Sequence, residues 1–125
     1  MKDEEVLNLT LLKKRLTTFA KERDWEKFHT PKNLAMALNV EAVELLEIFQ
    51  WMTEEESLKL IELSGSEKKI MNIRDEIADI FVYLLRLCSV LNIDFEKSLL
   101  EKIEKNETKY PPNLVRGSSK KYDEY

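Results

Sequence analysis

The sequence predicts an all-α fold, a bundle of four to five helices, on three grounds. Only two glycines and three prolines interrupt 125 residues, too few for a fold rich in tight turns. Apolar residues recur at helical spacing, as in Leu9, Leu12, Leu16, Phe19 and Ala20. No stretch shows the strict alternation of a half-buried strand. The length suits one domain with a real hydrophobic core. Hydrophobic residues at 43% and charged residues at 35% mark a globular chain rather than a disordered or membrane-embedded one.

The first helix is expected from about Glu4 to Arg23, followed by the linker DWEKFHTP. Thr30 before Pro31 reads as an N-cap and first helical position, opening a second helix that reaches about Met52. Thr53-Glu54-Glu55-Glu56 has capping-box spacing, so a short third helix to about Leu63 follows. Ser64-Gly65-Ser66 is the clearest break, with Ser66 placed to cap a fourth helix ending near Leu91. From Ile77 onward that helix is apolar nearly all round, which suits the centre of a bundle or an oligomer interface. Asp94 caps a fifth helix to about Tyr110, and Pro111-Pro112 stops it. Residues 1–110 thus form the helical domain, with 111–125 as a polar, irregular tail of the same domain.

A formal charge of −4 argues against a passive electrostatic grip on nucleic acid, and an anionic substrate would need a bridging cation. Cys88 is the one cysteine, so an intramolecular disulfide or a Cys-rich zinc site is impossible, and it reads as a small buried hydrophobe. The first residues, MKDEEV, are acidic, unlike a secretory signal. The longest near-apolar run, Ile77 to Leu91, is broken by Asp79 and Arg86 and is too short to span a bilayer. A cytoplasmic protein without membrane or nucleic-acid partners is the expectation.

Four carboxylates sit where apolar side chains should be: Glu41 and Glu44 in EAVELLEIFQW, Glu76 and Asp79 in RDEIADIFVYLL. The i, i+3 spacing projects each pair from one side of a helix. At about 100° per residue, Glu41 shares its face with Leu34, Ala37, Leu38, Leu45 and Ile48, and Glu76 with Ile73, Ile80, Tyr83, Leu84 and Leu87. An unpaired ionised carboxylate in such a place costs on the order of several kcal/mol or takes up a proton. Four that converge cost less if they hold a cation. The pairs among Glu101, Glu104 and Glu107 read instead as solvated faces, and Glu47 lies at the edge of its face. All-oxygen ligands suit Mg²⁺, Mn²⁺ or Ca²⁺. A di-iron bundle would want E-x-x-H on two helices, whereas the single histidine, His29, lies in a loop. Because Mg²⁺ shares its coordination with phosphates, four carboxylates with Mg²⁺ make a receptor for a polyphosphate. Trp25 and Phe28 flank the loop before the second helix, Trp51 follows Glu44, and Tyr83 lies one turn beyond Asp79. Each of these aromatics can be core packing or a stacking platform for a nucleobase, and His29 can satisfy a loop carbonyl or contact a ligand.

The segments FAKERDWEKFHTPKNL, EAVELLEIFQW, DEIADIFVYLL and NETKYPPNLVRGSSKKY resemble the all-α nucleotide pyrophosphohydrolases of the MazG-like superfamily, from about Leu12 onward with one shortened loop near Ser64. The resemblance implies hydrolysis of a (deoxy)nucleoside triphosphate, dCTP or a related dNTP, between the α and β phosphates. Modified pyrimidine nucleotides, dUTP or dATP are the alternatives, as is a helical binding module without catalysis. It implies that Glu41, Glu44, Glu76 and Asp79 hold Mg²⁺ (or Mn²⁺), with Glu44 the candidate to orient the attacking water. It further implies that Trp25 and Trp51 enclose the base, that Phe28 and His29 line the pocket and that Tyr83 contacts substrate. Lys109, Arg116, Lys120 and Lys121 would reach phosphates, and the chain would assemble as a homodimer or homotetramer. Leu16 stands where related members carry a substrate-contacting histidine on the first helix.

Overall fold

Every regular element among the described residues, 7–118 of the computed structural model, is helical. Helix α1 spans Leu9–Glu22, α2 Pro31–Phe49, α3 Glu54–Leu58, α4 Glu67–Leu91, α5 Phe95–Lys109 and α6 Pro112–Val115. Short 3₁₀ turns lie at Glu26–Phe28 and Leu60–Glu62. The chain divides into two compact units, Met1–Asn92 and Ile93–Tyr125, so α1 to α4 form the first and α5 with α6 the second. None of these helices is long and apolar enough to cross a membrane.

Local chemistry sets most helix starts. Thr30 Oγ1 accepts from Asn33 N–H at 3.1 Å with Pro31 at the first helical position. Thr53 and Glu56 form the reciprocal capping box, each side chain accepting from the other's backbone N–H at 3.1 Å. Asp94 Oδ1 accepts from Lys97 N–H at 3.0 Å. These groups satisfy N–H donors that a helix start leaves without partners. Ser66 behaves otherwise: it makes no side-chain cap, and its Oγ donates to the Leu63 carbonyl at 2.8 Å. Gly65, at φ +81, makes the left-handed turn between them. The first helix starts at Leu9 behind an Asn8 cap, and the expected Glu4 start lies outside the described residues. Where an irregular tail was expected, α6 adds one helical turn. Lys120 and Lys121 lie outside the described residues.

In the first unit α4 packs mainly on α2 and secondarily on α1. Among the described residues the buried apolar side chains are Ala20, Leu34, Leu60 and Leu85, with Arg86 the buried charge. Around Leu34 the predicted inner face of α2 is partly covered at Ala37, Leu38, Glu41, Leu45 and Ile48, whereas Val40, Val43 and Leu46 are exposed. Helix α4 is central as expected, yet Ile77, Val90 and Leu91 remain exposed, so one chain covers only part of its apolar circumference.

Leu85 is 1% exposed and Leu58 82% exposed. Leu85→Ala should therefore cost about 2–5 kcal/mol, through lost burial and a residual cavity. Leu58→Ala should stay within about 0.5 kcal/mol. Urea denaturation of both variants checks this.

Candidate active site

Helices α2 and α4 bring three carboxylates together across their seam. Glu41 and Glu44 from α2 and Glu76 from α4 each place an oxygen within 4.8 Å of the others. Glu41 and Glu76 are partly buried and Glu44 is exposed. Asp79 is also exposed and stands outside this cluster. Only the second sequence pair is split between cluster and surroundings, but in both the i+3 position lies about 60° round the helix and its carboxylate is the exposed one.

The cluster carries two signs of uncompensated charge. Glu76 Oε2 is buried without a hydrogen-bond partner. The Glu41 carboxyl is pushed up to about 7, first by its hydrogen bond with Glu76, then by burial and by Glu44. A hard divalent cation would relieve both: it would displace the proton held between Glu41 and Glu76 and give the orphaned oxygen a partner. The residues present therefore fit such an ion.

Beside the cluster, local backbone chemistry builds a second feature. At the end of α1, Trp25 N–H donates to the Ala20 carbonyl at 2.9 Å and Asp24 N–H to Lys21 at 3.1 Å, with Asp24 at φ 54. This is the Schellman arrangement, which folds the chain back so that the residue after the turn meets one in the last helical turn. Here Trp25 meets Phe19 edge-on, with ring centroids 5.8 Å apart. The 3₁₀ turn then delivers His29, held by its N–H on the Glu26 carbonyl at 3.1 Å, while Asn33 Nδ2 donates to the Phe28 carbonyl at 3.0 Å.

Trp25 and His29 line a cavity of about 360 Å³ with Leu16, Phe19, Asp79, Val82, Tyr83 and Arg86. Burial raises the Tyr83 pKa, with the Glu41, Asp79 and Glu44 carboxylates adding to it, so the phenol stays a hydrogen-bond donor. Burial and then the Arg86 charge lower the His29 pKa, against a smaller opposing effect of Glu26, which keeps the imidazole neutral. Burial likewise pushes the Cys88 thiol up, as suits an inert packing residue.

Of the expected substrate contacts, Trp25, His29 and Tyr83 come together around this cavity, with Asp79 on its wall. Trp51, 88% exposed, and Phe28 do not line it. Lys109 ends α5, Arg116 follows α6, and both are exposed in the second unit. Arg86, Leu16, Phe19 and Val82 complete the lining, and Arg86 was absent from the expected set although it interrupts the same apolar run as Asp79.

The model of the MazG-like family matches residues 36–125. Human dCTP pyrophosphatase 1 is 40% identical over 106 residues, covering 85% of this chain and 61% of that protein. The bovine protein of the same name is 40% identical over 104 residues, covering 83% of this chain and 60% of its own length. The chain thus spans about three-fifths of these curated relatives. The crystal structure of a pyrophosphatase from Archaeoglobus fulgidus superposes with a TM-score of 0.74 at 38% identity, covering 89% of this chain and 99% of that one. A family match over most of the chain, joined to a similar helical structure, leads to one conclusion: the chain belongs to the MazG-like family.

Proposed function

We propose that this protein is a nucleotide pyrophosphohydrolase that cleaves a deoxynucleoside triphosphate, dCTP or a close relative, to the monophosphate and pyrophosphate. The observation that carries the reading is the three-carboxylate cluster, with its partnerless buried oxygen, beside an aromatic-walled cavity. The likeness to dCTP pyrophosphatase 1 supports the choice of nucleotide.

Glu41, Glu44 and Glu76 hold Mg²⁺ in this reading, and Asp79 joins them from its exposed position on α4. When bound, Mg²⁺ neutralises triphosphate charge and polarises the α-phosphorus. Glu44, the exposed member of the cluster, orients water and accepts its proton. The water oxygen bonds to the α-phosphorus while the bridging oxygen leaves with pyrophosphate. Trp25 and Tyr83 confine the base, and Tyr83 keeps its proton as a donor to substrate. The protein acts as a homo-oligomer, a state supported by the exposed apolar side chains of Leu46, Trp51 and Ile61.

Incubation with dCTP and Mg²⁺ should release pyrophosphate rather than orthophosphate, and chelation of the metal should stop it. Glu41→Gln and Asp79→Asn should each lower kcat by at least about 100-fold, the scale set by losing a group that stabilises transition-state charge, with helical circular dichroism unchanged. Full activity in both variants would contradict the assignment.

The raised Glu41 pKa gives a pH dependence of defined sign. Folding takes up a proton between the ordinary value of 4.5 and about 7. The corresponding stability is present below 4.5 and is lost as pH rises through about 7. In EDTA, the melting temperature of Glu41→Gln should therefore gain on that of the wild type between pH 5 and pH 8. Mg²⁺ at pH 8 should raise the wild-type value and leave that of the variant nearly unmoved. A difference between the two proteins that ignores pH would count against the shared proton.

A further inference from the structure

Arg86 lies one turn beyond Tyr83 on α4 and is only 5% exposed, yet it lines the cavity. Its Nε donates to His29 Nδ1 at 3.2 Å and its Nη1 to Thr17 Oγ1 at 3.1 Å. Both acceptors are neutral, and among the described residues no carboxylate stands within ion-pair distance. A guanidinium carries five N–H donors, and its remaining ones have no protein acceptor among the described residues. A buried cation left in this state is costly unless something entering the cavity supplies acceptors. Of the other walls, Leu16, Phe19, Trp25, Val82 and Tyr83 suit a flat heterocycle, and Asp79 is assigned above to the metal, so Arg86 and His29 are the polar groups left to decide which one fits.

The Arg86–His29 bond also fixes what His29 can do. A guanidinium donates and never accepts, so Nδ1 of His29 is the bare nitrogen and the ring proton resides on Nε2. Arg86 and His29 therefore offer a ligand N–H groups only.

We propose that Arg86, together with the His29 it orients, makes this cavity selective for a base presenting two adjacent hydrogen-bond acceptors. Cytosine does so through O2 and N3, and guanine through O6 and N7. Uracil and thymine place an N–H between their carbonyls, and adenine sets an amino donor beside N7, so each meets the N–H groups with a donor at the second position. The inference deepens the nucleotide reading above and rests on it.

The test compares kcat and KM for dCTP, dGTP, dUTP and dATP in the wild type, Arg86→Leu and Arg86→Lys, with thermal melts as a folding check. Calorimetry measures binding of the α,β-imido analogues of the same four nucleotides. The wild type should favour dCTP or dGTP over dUTP and dATP, and which of the two it favours identifies the edge that is read. Arg86→Leu should lose about 10- to 100-fold on the favoured nucleotide, mainly in KM, so that the preference collapses. Arg86→Lys keeps the buried charge but lacks the planar fork. It should recover only part of the preference, and it carries the test if the leucine variant does not fold. A wild-type preference retained in both variants, an equal loss on all four nucleotides, or a wild type that favours dUTP or dATP would overturn the proposal. Selective binding of the analogues without pyrophosphate release would leave it standing and refute the enzymatic reading. Hydrolysis with selectivity untouched by Arg86 would refute the proposal alone, and a wild type that neither binds nor hydrolyses any of the four would refute both.

Discussion

Like charges held close together across a helix seam are the constraint on which this protein turns. Three carboxylates within 4.8 Å of one another repel, and partial burial of two of them strengthens the repulsion. Helices α2 and α4 pack on one another regardless, with Leu34 of α2 fully buried. Without a cation, Glu76 and Glu44 together with burial hold the Glu41 carboxyl pushed up to about 7, and one Glu76 oxygen stays unsatisfied. Such a seam suits a divalent ion, which three carboxylates would leave with coordination positions open to phosphate oxygens.

Function then follows from what lies along one helix. Glu76, Asp79, Tyr83 and Arg86 recur at three- and four-residue intervals on α4, so they follow one side of it over about 15 Å. The acidic end suits a metal and phosphates, and the far end carries a buried guanidinium. Between them Tyr83 is affected electrostatically by Glu41, Asp79 and Glu44 and belongs to the cavity lining as well. The opposite wall comes from the end of α1 and the loop after it, where a Schellman turn and a Thr30 cap set Trp25 and His29. A triphosphate gripped at one end and a base read at the other is the division of labour this layout supports.

Much of this was legible in the sequence, and the exceptions have physical reasons. Thr30, Thr53 with Glu56, and Asp94 announced their helices because a cap depends on residues three apart. Ser66 did not follow, since a serine hydroxyl can equally donate backward to a carbonyl, here that of Leu63. The carboxylate spacing revealed a seam site but not that Glu44 and Asp79 would reach its exposed edge, which depends on how α2 and α4 meet. Trp51 lies beyond Phe49, where α2 ends, and so falls outside the helix expected to reach about Met52. Arg86 was the signal passed over: a positive charge inside an apolar run raises the same question as a negative one.

The central claim is that the side chains of Glu41, Glu44 and Glu76 converge to hold a divalent ion. An anomalous difference map from crystals grown with Mn²⁺ tests it most directly. A peak bounded by those three carboxylates is the predicted result. Crystals with Mn²⁺ bound elsewhere, or with no peak at the α2–α4 seam while Glu76 Oε2 stays without a partner, would contradict the account.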